Sequence, residues 1–432
     1  MNHKLFCEIL NSGMEVATGC TEPAAVALCA AYASEQLTGE VAELSVSASV
    51  NIIKNAMAAG IPGITYTGTE YAAALGAIGG KSKRQLQVID TASSEECRKA
   101  IELVQGGHVK ISKKDAPPKF YIEVEIKSVS GHQARAIIAS SHTNLIYLEK
   151  DGVAIINREI NMEVNGHGPL TDAFYDTLSI ETIYDFVSSL DREKDDLHII
   201  EQAISVNKCI SREGAEKKFG LHVGQNIAAA KRASKMNSDV VTTAMELTAC
   251  GIDARMGGAN VPVVTNSGSG NQGITATIPV VTAAEFLGID EDRMFRAVTL
   301  SHLMTLYIHR HFGLLSALCG ATVAGTGASC GLVYLFGGSP KQIGYAINNM
   351  VGSVAGMLCD GAKANCALKV ATCVNTAFLS AYMAIDNISV QPNEGIVEGE
   401  PAQTIRNFVR IGNDVSPLMD NVILDIVLNK QA

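Results

Sequence analysis

Phe120-Tyr121-Ile122-Glu123-Val124-Glu125-Ile126-Lys127-Ser128 opens the stretch that decides the fold, and HQARAIIAS (132–140), NLIYLEK (144–150) and GVAIIN (152–157) follow it closely. These runs alternate or are rich in β-branched and aromatic residues, and short turns at 128–131, 141–143 and 149–152 separate them. Such spacing predicts an antiparallel meander. Upstream, EPAAVALCAAYASEQLT (22–38) has helical composition, with Pro23 in the first turn, where its missing N–H costs nothing. VAELSVSASV (41–50) alternates with period two and reads as a half-buried strand. An alanine helix near 70–79 and a polar helix near 93–105 complete this part, with the helices expected on one face of the sheet.

After Asn165-Gly166-His167-Gly168-Pro169 the period changes, and from 171 onward apolar residues recur at helical spacing almost throughout. The predicted fold class is therefore an α+β domain with an antiparallel sheet over 1–168, then a mainly α-helical domain over 169–432. The boundary falls at 162–170. A chain of 432 residues is too long for one ordinary core, which agrees with two domains.

Composition narrows the function classes. Hydrophobic residues at 47% against 18% charged allow a large interior, and 39 glycines without any Trp suggest closely approaching helices. The net charge of −10, with no Lys/Arg cluster, leaves no footprint for nucleic acid. Glu8 and Glu15 interrupt the N-terminal apolar positions, unlike a secretory signal, and eleven scattered cysteines do not resemble a disulfide scaffold. A cytoplasmic location is expected. The uncharged stretch 314–336 is long enough to cross a bilayer. Half of it is small or hydroxylated, however, and His309-Arg310-His311 precedes it, so a buried helix is expected and no membrane partner. Exposed Ala/Gly helix surfaces are compatible with a homodimer.

Two segments carry the chemistry. Between Arg255 and Glu285 there is no charge, and the centre, Thr265-Asn266-Ser267-Gly268-Ser269-Gly270-Asn271-Gln272-Gly273, is polar and glycine-rich. Consecutive free N–H groups in such a loop can cradle a carboxylate; a sharp interhelix turn would look the same. The second segment holds Cys359 and Cys366 among Asp360, Gly361, Lys363, Asn365 and Lys369, with Cys319 upstream. A closed zinc site wants four ligands, whereas three thiolates fit a cubane cluster with one iron left open for Lewis-acid work. Cys330 and Cys373 could replace members of the trio, but they sit in smoother helical contexts that read as core.

Gly19-Cys20-Thr21-Glu22-Pro23, Asp253-Ala254-Arg255-Met256-Gly257-Gly258-Ala259, Ser267–Gly273, Leu315–Cys319 and Cys359–Lys369 together resemble the L-cysteine desulfidase family, which is related to the α-chain of the iron–sulfur L-serine dehydratases. The likeness runs over nearly the whole chain. It implies a [4Fe–4S] cluster on Cys319, Cys359 and Cys366, and β-elimination of a small amino acid to pyruvate, ammonia and sulfide.

Cys20 stands just before a helix, where the dipole favours a thiolate; it is the expected base for the α-proton, and the resemblance points to the same residue. Substrate-binding candidates are Asn51 and Asn55 after a strand end, His142 in Ser141-His142-Thr143-Asn144, and Arg255, whose guanidinium can fork onto a carboxylate. Ser267, Ser269, Asn271 and Gln272 of the polar loop, and His309 before Cys319, complete the set; Tyr307 could face the same way. Serine could be the substrate of the same site. A pyridoxal-phosphate lyase using Lys363 or Lys369, or an iron–sulfur redox sensor, are more distant readings.

Overall fold

The computed structural model describes residues 2–115, 117–159, 175, 177–312 and 316–429, so the boundary expected at 162–170 lies outside the described residues. The N-terminal part runs α1 (His3–Gly13), β1 (Val16–Thr18), α2 (Thr21–Ser34), β2 (Val41–Ala48), α3 (Val50–Ala56), α4 (Thr69–Gly79), α5 (Ser94–Gln105), β3 (Val109–Lys113), β4 (Tyr121–Ser128), β5 (Gln133–Ala139), β6 (Leu145–Lys150) and β7 (Val153–Asn157). Helices then dominate: α6 (Ile180–Ser189), α7 (His198–Glu216), α8 (Val223–Arg232) and α9 (Val240–Met256) precede the short β8 (Pro262–Val264). After it come α10 (Gly270–Leu287), α11 (Glu291–Arg310), α12 (Gly320–Leu335), α13 (Pro340–Val354), α14 (Cys366–Ile385) and α15 (Pro401–Leu428).

The meander forms as its alternation predicts. Ile122, Val124 and Ile126 of β4 share one buried face with Ala136 and Ile138 of β5, and α2 and α4 cover that face. The sheet is nevertheless mixed, with strand order β3-β2-β4-β5-β6-β7 and β3 parallel to β2. This corrects the expectation of a purely antiparallel sheet. The chain leaves β2, passes through α3, α4 and α5, and returns beside β2 in the same direction, as parallel strands require a long crossover. Lysines at 110 and 113 mark β3 as a charged edge strand, a usual guard against edge pairing.

In the helical part, α12 runs through the middle and is buried along almost its whole length. Gly327 allows this, because a side chain there would sit 2.0 Å from Thr305 Oγ1 of α11. The backbones of α11 and α12 thus touch directly, and the uncharged stretch around 320–335 is a core helix. Among the described residues, Cys366–Ile385 is the one helix long and apolar enough to cross a membrane, and half of it is buried inside the fold.

Both chain ends tie the two parts together. Phe6, Ile9 and Leu10 of α1 belong to the helical core, and β1 pairs antiparallel with β8, Val16 opposite Val264. From the other end, α15 packs on α3 and sends Leu424 into the core of the α/β part.

Candidate active site

The polar loop between β8 and α10 is anchored from below. Asn207 accepts from the Val264 N–H at 2.9 Å and donates to the Val264 carbonyl at 3.2 Å. Asn266 donates to His302 Nδ1 at 3.0 Å, while His302 Nε2 meets Thr277 Oγ1 at 2.9 Å. His302 is fully buried, and burial pushes its pKa down to about 3. Protonating Nδ1 would also cost the Asn266 bond. A histidine depressed in this way contributes stability above its unfolded pKa, near 6.5, and loses it as pH falls toward the folded value. Urea unfolding should therefore show about 2 kcal/mol less stability at pH 5 than at pH 7 from this residue. His302→Gln should flatten that slope; an unchanged slope would contradict the assignment.

On this support, Ser269 caps α10, its hydroxyl accepting from the Gln272 N–H. Ser267 takes a left-handed conformation (φ 52°) and bonds to Asn266 Oδ1 at 2.9 Å. The Arg255 guanidinium and the His142 ring fill the space that side chains at 270 and 268 would need. Buried Arg255 donates from Nε to the Gly19 carbonyl at 3.0 Å and from Nη1 to Asn271 Oδ1 at 2.9 Å. It therefore links the loop to the residue before Cys20. His142 is buried against Phe120, and its Nε2 has no hydrogen-bond partner among the described residues. Burial lowers its pKa, and the Arg255 charge adds to that despite the opposing pull of Glu22.

Cys20 is the N-cap of α2 and is buried. Burial pushes its thiol up to about 12, against the lowering effect of Arg255. Desolvation thus outweighs the dipole that the sequence suggested. Glu22, one position into the helix, receives bonds from Asn55 Nδ2 (2.9 Å) and Thr21 Oγ1 (3.0 Å).

The cysteine segment is held as firmly. Cys319 and Cys359 flank a small antiparallel bridge: the Cys319 N–H donates to Met357 and the Cys359 N–H to Ala317, both at 2.8 Å. Cys366 is the first residue of α14. Burial and the charges of Cys359, Cys373 and Cys366 all raise the Cys319 thiol, so these sulfurs share one neighbourhood. Fully buried Cys373 lies in the same region, about two turns further along α14 from Cys366. Asp360 sits between ligand candidates and pairs with Lys363 and, at 2.5 Å, with Lys369, which together hold its carboxyl down at about 2 against the effect of burial. Lys369 also donates to the Leu358 carbonyl at 2.7 Å. Buried Lys54 of α3 bonds Asp420 of α15 at 2.5 Å and reaches the Cys359 carbonyl at 3.4 Å. Gly361 is needed beneath it, since a side chain there would meet the Lys54 carbonyl. Among the described residues no three His, Cys, Asp or Glu side chains are close enough to hold a single metal ion.

Between these parts lies a half-open cavity of about 90 Å³. Glu22, Asn55, Ser269, Gln272, His309 and Cys359 line it, with Phe312, Leu318 and Val323 as its apolar wall. Burial pushes His309 down to about 4, so it faces the cavity neutral. Arg255, Asn271, His142 and Cys20 lie outside that lining, although the charge of Glu22 acts on both Cys20 and His142. Asn51 instead directs its amide to Asp420 at 2.8 Å, and Tyr307 turns toward the charges of Arg406, Glu400 and Glu181. Sequence reasoning placed Lys54 with Asn51 and Asn55 after a strand end but missed its partner Asp420, and it missed Glu22 and Asp360 as site residues. Glu22 alone left a local signal, as the single charge in an otherwise apolar helix.

The chain matches the model of the serine dehydratase alpha chain family over residues 83–425. It is 40% identical over 430 residues to a UPF0597 protein of Oleidesulfovibrio alaskensis, covering 99% of this chain and 98% of that one. A UPF0597 protein of Bacteroides fragilis is 41% identical over 415 residues (96% and 95% covered), and one of Clostridium perfringens 38% over 429 (99% of each). The order Arg255, polar loop, Cys319, Cys359 and Cys366 lies inside the matched span, while Cys20 and Glu22 lie before it. The chain belongs to the serine dehydratase alpha chain family.

Proposed function

We propose that this chain eliminates sulfide from L-cysteine, giving pyruvate and ammonia, with a [4Fe–4S] cluster held by Cys319, Cys359 and Cys366. The family is typically iron–sulfur dependent. The donor set fits such a cluster: three soft thiols in one neighbourhood, two of them fixed by a backbone bridge and the third opening a helix. The bound cluster would supply a Lewis-acidic iron for the leaving group.

The chain's own residues do the rest. Arg255 and the first N–H groups of α10 receive the substrate carboxylate, and the cavity wall of Phe312, Leu318 and Val323 excludes water. Cys20, once it is a thiolate, takes the proton from Cα, the Cβ–S bond breaks with both its electrons leaving on sulfide, and the resulting aminoacrylate tautomerises and hydrolyses to pyruvate and ammonia. The single observation that carries this reading is the small cavity lined both by Cys359 and by Glu22, in the first turn of the helix that Cys20 caps.

The second reading, dehydration of L-serine, is favoured by the matched family's own description. A Schiff-base lysine finds less support, because Lys363 and Lys369 are both engaged by Asp360. Anaerobically reconstituted protein given L-cysteine or L-serine should release pyruvate faster from L-cysteine, with sulfide in step. Pyruvate from L-serine alone would establish the second reading, and pyruvate from neither would end both.

A further inference from the structure

Three acceptor-bearing side chains line the cavity, and two of them lack a donor among the described residues. Among the described residues, Asn55 Oδ1 and Gln272 Oε1 are buried without a hydrogen-bond partner, on residues 8% and 2% exposed. Beside them stands the Glu22 carboxylate, oriented by Asn55 Nδ2 and Thr21 Oγ1. All three residues line the same cavity. A buried acceptor without a donor has lost its hydrogen bonds to water and gained none in return. Two together call for a partner that brings several N–H groups.

A first-turn glutamate is common for a simpler reason, since the helix dipole stabilises it. That accounts for Glu22 and leaves Asn55 and Gln272 unexplained. A carboxylate or a thiolate brings no donor and would be repelled here. An ammonium brings three N–H donors and a positive charge, which matches two orphan oxygens and one carboxylate. With His309 neutral, no lining side chain already supplies that charge.

The geometry points to Glu22, Asn55 and Gln272 as the subsite for the substrate's α-ammonium, so that the site requires a free α-amino group. This rests on the amino-acid elimination proposed above. It also sets the substrate's direction: ammonium against Glu22, carboxylate against Arg255 and the start of α10, side chain toward Cys359.

The test separates the amino group from the rest of the molecule. In Glu22→Gln the KM for L-cysteine should rise roughly 10–100-fold, as for loss of a charge-assisted bond. The Kd of 3-mercaptopropanoate, which is cysteine without its amino group, should stay within about threefold by calorimetry on the reconstituted protein. Glu22→Asp, which keeps the charge, should fall between, and it carries the same comparison if the Gln variant does not fold. An equal loss for both molecules, or no loss for either, overturns the subsite while leaving the elimination standing. A wild type that releases pyruvate from neither amino acid overturns the elimination and the subsite with it.

Discussion

Cys20→Ala protein, reconstituted anaerobically, is expected to keep its iron and sulfide and to lose pyruvate release by a factor on the order of 10²–10⁴, the usual contribution of a positioned base. Ala fits the N-cap without strain, because Cys20 makes no side-chain capping bond. The substitution therefore removes little beyond the thiol. Burial holds that thiol well above its ordinary range, at about 12, so Cys20 must give up its own proton before it can accept one from Cα. The lowering effect of Arg255 is the local force toward the thiolate. Substrate affinity should change little, because the carboxylate and ammonium contacts lie elsewhere. A variant with an intact cluster and full turnover would remove Cys20 from the mechanism.

Lys54→Met is expected to cost about 3–5 kcal/mol of stability, since it leaves Asp420 as a buried charge without its cation. Both side chains are almost wholly enclosed, at 1% and 6% exposure. The loss should also reach the site, because Lys54 Nζ approaches the Cys359 carbonyl and α3 packs against Gly361. Urea unfolding checks the first effect, and iron content after reconstitution checks the second. Adding Asp420→Leu to the Lys54 variant should recover much of the lost stability, because no unpaired charge then remains. If the single variant unfolds at the wild-type midpoint, the pair is not structural.

The parts of this molecule differ in how visibly they are written in the sequence. Runs with period two at 120–157 and alanine helices at 22–38 and 70–79 carry their structure locally, so they could be read. The edge strand Val109–Lys113 could not, since a short, half-exposed strand leaves no period to detect. Its parallel pairing follows from the path of three intervening helices. Likewise, the polar loop and the cysteine trio announce themselves by composition, as charge-free or turn-rich stretches. Lys54–Asp420 joins positions far apart in the chain and leaves no pattern in either neighbourhood. The same holds for the Asn55–Glu22 bond and for His302 beneath Asn266. A lone lysine or asparagine on a helix reads as surface until its partner is known. For Cys20 the local signal was right about position and misleading about charge, because the dipole is visible in sequence while burial is not.

The central claim, that Cys319, Cys359 and Cys366 together hold a [4Fe–4S] cluster needed for elimination, is tested most directly by one side-by-side measurement. Iron, acid-labile sulfide and pyruvate release are assayed in anaerobically reconstituted wild type and in Cys319→Ala, Cys359→Ala and Cys366→Ala. Iron and sulfide should appear in equal amounts, about four of each per chain, and should fall together with pyruvate release in all three variants. Wild type without iron or sulfide, or pyruvate release that survives in the variants, would contradict it.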